Sequence, residues 1–417
     1  AVCFFDDRLV WAGTSADPQT VWFSRTGDYE NHESLEVATS SLQFTINTDQ
    51  VNLIEWLSPA DILKIGTAGG EFTMGATGDS GLTPGNVKVS RNSTYGSKSQ
   101  VQPIPAEQVL LFVQRSGRRL RELVFDFNTD SYTAPDLNVL SEHVCLDRIK
   151  KMAFQQEPQR RVWCVLEDGE LVCLTYERGH EVVGWSRHPL GGNFAGGDVV
   201  VESVAVIPHE DGDRDQVWIV VKRTINNVQR RYVEYLEEDW LRSNDLDDAY
   251  FADSVLTYDG GGVTTIVGLN HLEGETVTVL GDGIVQDSKT VSGGAITITS
   301  ASTVQVGLGY DATYQSMRFE GGSRDGSSQG KATRINRCVF RFDQTGEGVL
   351  YGPTDTTADM QEHRITAGTL LNGDIESVSW HGGIQQKDAG ARVTLKHNKP
   401  TPCTLIGVFP LQETYDR

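Results

Sequence analysis

Two apolar runs at 162–166 and 171–176 flank the acidic turn 167–170, in the stretch RVWCVLEDGELVCLTYE. Asp-Gly between runs rich in Val, Trp, Leu and Tyr predicts a β-hairpin. Both runs are apolar at nearly every position, which favours strands covered on both faces. A lone hairpin is only marginally stable, so this pattern requires neighbouring sheets.

The same signal, two strand-like runs around a turn, occurs five times in the first two-thirds of the chain. Taking the turn centres near Asp17, Gly69, Gly117, Gly169 and Asn226, the intervals are 52, 48, 52 and 57 residues. A period of about 50 residues built from strands alone is typical of β-propeller blades. The paired runs lie at 8–12 and 20–24, 62–67 and 71–75, 109–114 and 119–127, 162–166 and 171–176, and 217–223 and 230–236.

Further short apolar runs beside the hairpins predict three or four antiparallel strands per period, as in a blade. They lie at 52–57, 149–154, 182–187 and 203–207. The fold class is therefore predicted to be all-β: a β-propeller with five visible blades, and six or more if another segment closes the ring.

The remaining chain departs from this period. Residues 237–253 form an acidic stretch that is predicted to leave the ring as a solvated loop or short helix, with Trp240 and Leu241 as anchors. Residues 254–310 predict a small inserted β-barrel or sandwich, with strands at 263–267, 276–280, 295–299 and 303–307 and turns at 281–283 and 292–294.

A Gly/Ser-rich link follows, and strands are predicted again at 332–342, 377–380, 392–397 and 404–410. Pro400 and Pro402 are expected at an edge or a turn. The predicted domains are thus 1–253 for the blades, 254–310 for the inserted module, and 311–417 for a C-terminal β section that completes the propeller or forms a collar.

Composition narrows the function. The net charge of −21 argues against a surface that grips nucleic acid by its phosphates. No run approaches the length of a membrane span, so stable membrane insertion is not expected. The six cysteines show no CxxC spacing, and Cys164 and Cys173 are expected to be buried apolar residues in a reduced protein.

Several residue groups could carry chemistry, but each has a plainer interpretation. Propellers can be glycosidases, so the turn carboxylates Glu167, Asp168 and Glu170 are candidates, although such turns are usually solvated. Residues 210–215 (EDGDRD) could bind Ca²⁺, yet the later bidentate Glu is missing and a solvated loop is favoured.

Other polar groups are weaker candidates. The arginines at 115, 118, 119 and 121 form a local basic patch, which is more simply a salt-bridged strand edge. His180, His188 and His209 are expected at the surface, and Asn92 begins a glycosylation sequon without secretory context. No catalytic, cofactor-binding or metal site is therefore predicted, and DNA-lumen and gate residues stay unassigned.

Longer stretches carry a family resemblance. They are RLVWAGTSADPQTVWFSRTGDYEN, QPIPAEQVLLFVQRSGRRLRELVFDFNTDSYTAPDLNVLSEHV, AYFADSVLTYDG, GLNHLEGETVTVLGDG and KPTPCTLIGVFPLQ. In this order the chain resembles the tail nozzle proteins, or tail tubular protein B, of short-tailed bacteriophages (podovirus-like). That family carries a further segment before the FFDDRLVWAGT region, so the chain is expected to lack its N-terminal segment.

The resemblance implies a virion structural protein, not an enzyme, that is assembled in the host bacterial cytoplasm and located in the virion tail. It implies a hexameric ring at the distal end of the tail, with a gated channel for DNA ejection and contacts to a tail adaptor protein and to tail fibre or spike proteins. No cofactor is implied. Because strong Lys or Arg contacts would slow sliding DNA, acidic loops are predicted to line the channel.

Two rival functions stay open. A propeller glycosidase acting on host surface glycans would need carboxylates converging at the ring's centre. A monomeric propeller binding module for such glycans would differ from the nozzle in its oligomeric state.

Overall fold

The computed structural model describes residues 1–35, 37–48, 51–78, 81–240, 245–320, 326–327, 331–376 and 392–415. Strands in these ranges form eight antiparallel sheets of three or four strands each. The helices found there are single 3₁₀ turns, at Glu142–Cys145, Arg178–His180, Leu246–Asp248, Asn270–Leu272 and Thr357–Asp359. The predicted all-β class is confirmed.

The chain divides into two compact units. The first comprises residues 1–188 and 200–221, and the second comprises 189–199 and 222–417. The predicted division at 253/254 and 310/311 stays a prediction.

Four consecutive four-stranded sheets, each in chain order, make up most of the first unit. The first sheet has β1 (Val2–Phe5), β2 (Arg8–Ala12), β3 (Thr20–Phe23) and β4 (Leu42–Thr45). The second has β5 (Ile54–Ser58), β6 (Leu63–Thr67), β7 (Gly70–Ala76) and β8 (Val87–Ser93). The third has β9 (Ile104–Ala106), β10 (Val109–Val113), β11 (Leu120–Asp126) and β12 (Ser131–Thr133). The fourth has β13 (Ile149–Gln155), β14 (Arg161–Leu166), β15 (Leu171–Glu177) and β16 (Val182–His188).

A fifth sheet has three strands, β17 (Val200–Pro208), β18 (Asp215–Ile225) and β19 (Val228–Leu236). All five predicted hairpins are confirmed, since each forms two neighbouring strands of one sheet. The predicted flanking strands are confirmed as β5, β13, β16 and β17. Closure of these sheets into a ring stays a prediction.

Successive sheets of the first unit share apolar cores. Val10 and Ile65 belong to one buried cluster that joins the first and second sheets. Trp56 of the second sheet packs on Phe112 of the third, with ring centroids 6.1 Å apart. Leu111 belongs to the cluster that joins the third and fourth sheets. Each fully buried side chain of this kind stabilises the fold by about 1.5–3 kcal/mol.

A similar backbone contact occurs at three junctions between successive sheets. The N–H groups of Ile54, Ile149 and Val201, at or beside the start of a sheet, donate to a carbonyl in the central turn of the preceding sheet. The acceptors are Pro18 (3.0 Å), Gly117 (2.8 Å) and Gly169 (2.9 Å), respectively. At these three junctions the central turn of one sheet is therefore hydrogen-bonded to the start of the next sheet.

In the second unit, residues 253–308 form one sheet with its own apolar core. Its strands are β20 (Asp253–Val267), β21 (Thr276–Gly281), β22 (Ile284–Thr290) and β23 (Ala295–Leu308), in the order β20-β23-β21-β22. Both strands predicted at 295–299 and 303–307 lie within the single strand β23, so only the predicted break between them is wrong. The turn at 281–283 closes a hairpin as predicted, whereas the turn at 292–294 does not, because β21 lies between β22 and β23.

The C-terminal part of this unit contains two more sheets, β24-β29-β26-β27 and β28-β25-β30, around a core that includes Phe340 and Tyr351. The strands are β24 (Ala312–Gln315), β25 (Ala332–Thr345), β26 (Val349–Gly352), β27 (Gln361–His363), β28 (Leu371–Glu376), β29 (Thr394–His397) and β30 (Thr404–Tyr415). The strands predicted at 332–342, 392–397 and 404–410 are confirmed as β25, β29 and β30. The strand predicted at 377–380 lies outside the described residues.

Residues 237–240 and 245–252 are irregular apart from one 3₁₀ turn, in agreement with the predicted loop or short helix. The Trp240 indole N–H donates to the Asp245 carbonyl at 3.3 Å, and its ring packs edge-on against Phe251. Trp240 therefore anchors this stretch, and Leu241 lies outside the described residues.

Candidate functional site

The acidic turn between β14 and β15 is the strongest sequence candidate for chemistry. Its Glu167 carboxylate lies 2.5 Å from Lys98 Nζ and 3.8 Å from Arg148 Nη1. The hydrogen bond from Lys98 holds the pKa of Glu167 below its usual range. This carboxylate is therefore held ionised by cations of the same unit.

The second glutamate of that turn is also paired. Arg187 Nη1 donates to both carboxylate oxygens of Glu170, at 2.9 and 2.7 Å. Burial raises the pKa of Glu170, although Arg187 opposes the rise. Asp168 accepts a hydrogen bond from the Glu170 backbone N–H at 3.0 Å and so shapes the turn. Two neighbouring carboxyl groups whose pKa values shift in opposite directions are typical of an acid–base pair. Here, however, the oxygens that would take part in such chemistry are bound by the Lys98 ammonium and the Arg187 guanidinium.

The four arginines of the predicted basic patch serve different contacts. Arg119 pairs with Asp136 and Glu142, while Arg121 donates to the Gln114 side chain and the Ala134 carbonyl and stacks 3.5 Å above the Tyr95 ring. Arg115 reaches the Ala68 carbonyl at 3.4 Å. Arg119 thus forms the ion pairs expected of a salt-bridged strand edge, whereas Arg115 and Arg121 bond to neutral groups.

The acidic loop between β17 and β18 gathers His209, Asp211 and Asp213. His209 Nδ1 lies 3.3 Å from Asp211 and 3.9 Å from Asp213, and its Nε2 lies 3.3 Å from Arg214 Nη2. The Asp211 backbone N–H also donates to Nδ1 at 3.3 Å. Both ring nitrogens therefore already face partners within the loop, so the interpretation as a solvated loop is favoured.

Two of the histidines expected at the surface are partly buried. His209 is enclosed by the loop just described, and His188 packs edge-on against Trp163 with ring centroids 4.8 Å apart. His180 is exposed, as predicted. His188 and His209 keep part of their surface exposed, while Trp163 of β14 and the charged side chains of the 209–214 loop cover the rest.

A buried polar network between the third and fourth sheets is not predicted by the sequence. The Tyr176 hydroxyl donates to Glu122 Oε2 at 2.8 Å, and Arg178 Nε donates to Oε1 at 2.6 Å. Burial and the Glu122 contact together raise the pKa of Tyr176. Glu122 lies in the run predicted as a strand at 119–127, and no sequence signal indicates its partners.

The second unit contains a cavity of about 640 Å³, lined in part by Arg230, Tyr232, His271 and Glu273. The Glu273 carboxylate is already occupied, since it accepts the N–H groups of Gly293 and Gly294 at 2.9 and 2.7 Å. The Glu273 carboxylate in this cavity therefore stabilises the backbone at Gly293 and Gly294, which indicates a structural role.

The carboxyl group of Asp253, in the second unit, has a raised pKa. Burial raises the pKa of Asp253 to about 6, and its Oδ2 accepts the Gly191 N–H at 2.5 Å. The buried Arg223 donates to the Gly191 carbonyl at 3.0 Å and pairs with Glu234. Both backbone groups of Gly191 are thus fixed by charged side chains, which indicates a structural role.

All six cysteines are free thiols, and Cys164 and Cys173 are buried in strands as predicted. Among the described residues, no helix has the length and apolar character needed to cross a membrane. No protein-family model matches the chain, and no curated protein is detectably similar to it.

Proposed function

We propose that this chain is a structural component of a bacteriophage tail, which forms the distal nozzle ring through which DNA is ejected. The observation that carries the proposal is the recurring junction of the first unit, in which the central turns of the first, third and fourth sheets are hydrogen-bonded to the start of the next sheet. Such a scaffold holds strands rigidly in series, as the wall of a conduit requires. The ordered resemblance of the quoted sequence stretches to tail nozzle proteins gives the proposal its specific form.

The state of the turn carboxylates supports a structural role over glycoside hydrolysis. A glycosidase needs one carboxylic acid free to donate a proton and one carboxylate free to attack or to activate water. Glu167 and Glu170 instead contact Lys98 and Arg187. A release assay for reducing sugar on host surface glycans would test the rival function, and activity there would contradict the proposal.

The charge of the chain supports passage of DNA rather than binding. Each Lys or Arg that neutralises a phosphate adds salt-dependent affinity and would retard a sliding duplex. With 57 acidic and 36 basic residues, the chain has ample acidic side chains for a repelling lumen. The turn 167–170 is a weak candidate for this lining because Lys98, Arg148 and Arg187 nearly balance its charge.

In this proposal the ring contains six copies, binds a tail adaptor protein and fibre or spike proteins, and resides in the virion tail. Negative-stain imaging of the full-length protein with its adaptor is the test. Rings with a central channel are expected, whereas isolated monomers in the presence of the adaptor would contradict the proposal.

A further inference from the structure

The cavity of about 640 Å³ in the second unit lies between the β18–β19 turn and the 3₁₀ turn Asn270–Leu272. All of the residues that line it belong to this one compact unit. Its size falls within the range of roughly 300–1,000 Å³ that is typical of small-molecule sites. The polar side chains of its lining are those of Asn226, Arg230, Tyr232, Asn270, His271 and Glu273.

Arg230 is the cation of this lining, and its side chain is exposed. Within the described part of the chain, its guanidinium has neither a hydrogen-bond acceptor nor an ion-pair partner. The nearby Arg223, in contrast, pairs with Glu234. A guanidinium has five N–H donors and no acceptor, and it binds a carboxylate through two parallel hydrogen bonds. An unpaired guanidinium at a cavity therefore indicates a ligand with an anionic group.

Glu273 limits the charge that this anionic group can carry. Its carboxylate belongs to the same lining, where it accepts the N–H groups of Gly293 and Gly294. A phosphate ester carries about −1.5 to −2 charges at pH 7, so Glu273 would repel it more strongly than it repels a singly charged carboxylate. The lining therefore favours a carboxylate as the partner of Arg230.

The other polar side chains both donate and accept hydrogen bonds. The amide of Asn270 packs closely on Gly294, where an added Cβ would lie 2.3 Å from Asn270 Oδ1. His271 Nε2 contacts the Ser254 carbonyl at 3.0 Å and must donate to it, so Nδ1 of the neutral ring is an acceptor. Together with the Asn226 amide, these groups match a ligand whose hydroxyls donate and accept in turn.

An aromatic ring completes the lining. Tyr232 lies two residues after Arg230 on β19, so both side chains are on the same side of the strand. The Tyr232 hydroxyl contacts the His271 carbonyl at 3.5 Å, which leaves the ring as apolar surface beside the polar groups. A sugar ring combines an apolar C–H face with a rim of hydroxyls, and such an aromatic ring fits that face.

We propose that this cavity binds an acidic saccharide, whose carboxylate pairs with Arg230 and whose hydroxyls bond to Asn226, Asn270 and His271. A neutral sugar would leave Arg230 unpaired, and a phosphorylated one would place a second negative charge beside Glu273. The proposal concerns binding and not hydrolysis, and it does not depend on the phage assignment. Because the site is open and has one charge pair, dissociation constants in the millimolar range are expected for a monosaccharide.

The test is a ligand-observed saturation-transfer NMR titration of the full chain from about 0.1 to 20 mM ligand, a range that brackets millimolar affinity. The ligands are methyl β-glucuronide, methyl β-glucoside and glucose 6-phosphate. The first two differ only in a carboxylate that replaces CH₂OH. Salt is kept near 10 mM, where the Debye length is about 30 Å and charge pairs are little screened.

The variants are Arg230→Gln and, as the matched control, Arg231→Gln. Arg231 is the next residue of β19, so its side chain lies on the opposite side of the strand, and its substitution removes the same charge. Circular dichroism verifies that both variants are folded. Methyl β-glucuronide is expected to bind the wild type and Arg231→Gln equally, and to bind Arg230→Gln at least fivefold more weakly.

Methyl β-glucoside and glucose 6-phosphate should both bind the wild type at least fivefold more weakly than the glucuronide. The absence of saturation transfer from the wild type to the glucuronide would overturn the proposal. Equal binding to Arg230→Gln and the wild type, or equal weakening by Arg230→Gln and Arg231→Gln, would overturn it too. Binding of the glucoside or the phosphate as tight as that of the glucuronide would contradict the assigned carboxylate.

Discussion

The Tyr176 hydroxyl of the fourth sheet donates a 2.8 Å hydrogen bond to the Glu122 carboxylate of the third. Glu122 is 5% exposed, and Arg178 compensates its charge from the same side. A charged hydrogen-bonded group thus lies beside the apolar core that joins the two sheets. Because a buried carboxylate is costly when a partner is lost, this contact fixes how the sheets meet.

Removal of that hydroxyl should destabilise the first unit. Tyr176→Phe keeps the ring but leaves Glu122 with one fewer donor, so the free energy of unfolding should fall by about 1–3 kcal/mol. Urea unfolding followed by tryptophan fluorescence measures the change. Tyr29→Phe is the control, because Tyr29 donates to Asp7 at an exposed position and should cost much less. Equal losses in both variants would contradict the assigned role of Glu122.

The central turn of the fourth sheet should not tolerate a side chain at Gly169. Its φ is +97°, and a Cβ there would lie 2.6 Å from Val200 Cγ1 at the start of the next sheet. Gly169→Ala should therefore destabilise the first unit by about 2–4 kcal/mol, from backbone strain and overpacking together. Gly184→Ala in β16 is the control, as an added Cβ meets nothing within 4 Å there. If Gly169→Ala and Gly184→Ala unfold at the same temperature, the close packing of the Gly169 turn against the start of β17 does not contribute to stability as claimed.

Acid should weaken the C-terminal sheets through His397. Burial lowers the pKa of His397 to about 4 from 6.5, while its Nε2 contacts the Glu347 carbonyl at 2.8 Å. The unfolded chain thus binds a proton more readily, and stability present above pH 6.5 is lost as the pH falls towards 4. The loss from this one group is on the order of 3 kcal/mol.

The test for His397 compares unfolding at pH 7.5 and pH 4.5 in the wild type and in His397→Gln. The glutamine amide can still donate to the carbonyl but does not titrate, so the pH dependence should become smaller. His180→Gln makes the same substitution at an exposed position and is the control. If the free energy of unfolding of His397→Gln changes with pH as much as that of the wild type, groups other than His397 dominate the acid sensitivity, and the prediction is wrong.

Asp253 should affect the pH dependence of stability in the direction opposite to His397. Its folded pKa of about 6 lies above the usual value of 3.8, so its contribution to stability is greatest at low pH and declines as the pH rises through 6. Asp253→Asn keeps an acceptor for the Gly191 N–H without a buried charge. The variant should therefore equal or exceed the wild type in stability at pH 7.5 and lose that advantage below pH 4. Marked destabilisation at pH 7.5 would mean that attraction to Arg223 outweighs desolvation.

The sequence predicts much of this fold because its hairpin signals are local. Asp168-Gly169 and Asn226-Asn227 impose their turns whatever surrounds them, so the five hairpins follow from pattern alone. The order β20-β23-β21-β22 does not, since the turn at 292–294 looks like a hairpin and only long-range pairing places β21 beside β23. Local signals of this kind identify strands but leave their neighbours open.

The polar contacts were less predictable than the strands. Glu167 and Glu170 were candidates as turn carboxylates, but their partners Lys98 and Arg187 come from distant positions in the chain. Such juxtapositions depend on tertiary structure.

The most direct test of the proposed function is a high-resolution electron-microscopy reconstruction of the full-length protein assembled with its tail adaptor. The account predicts a six-membered ring around an open channel, with loops lining the channel that carry predominantly Asp and Glu. A particle that stays monomeric with the adaptor present, or a ring whose channel is lined predominantly by Lys and Arg, would contradict it.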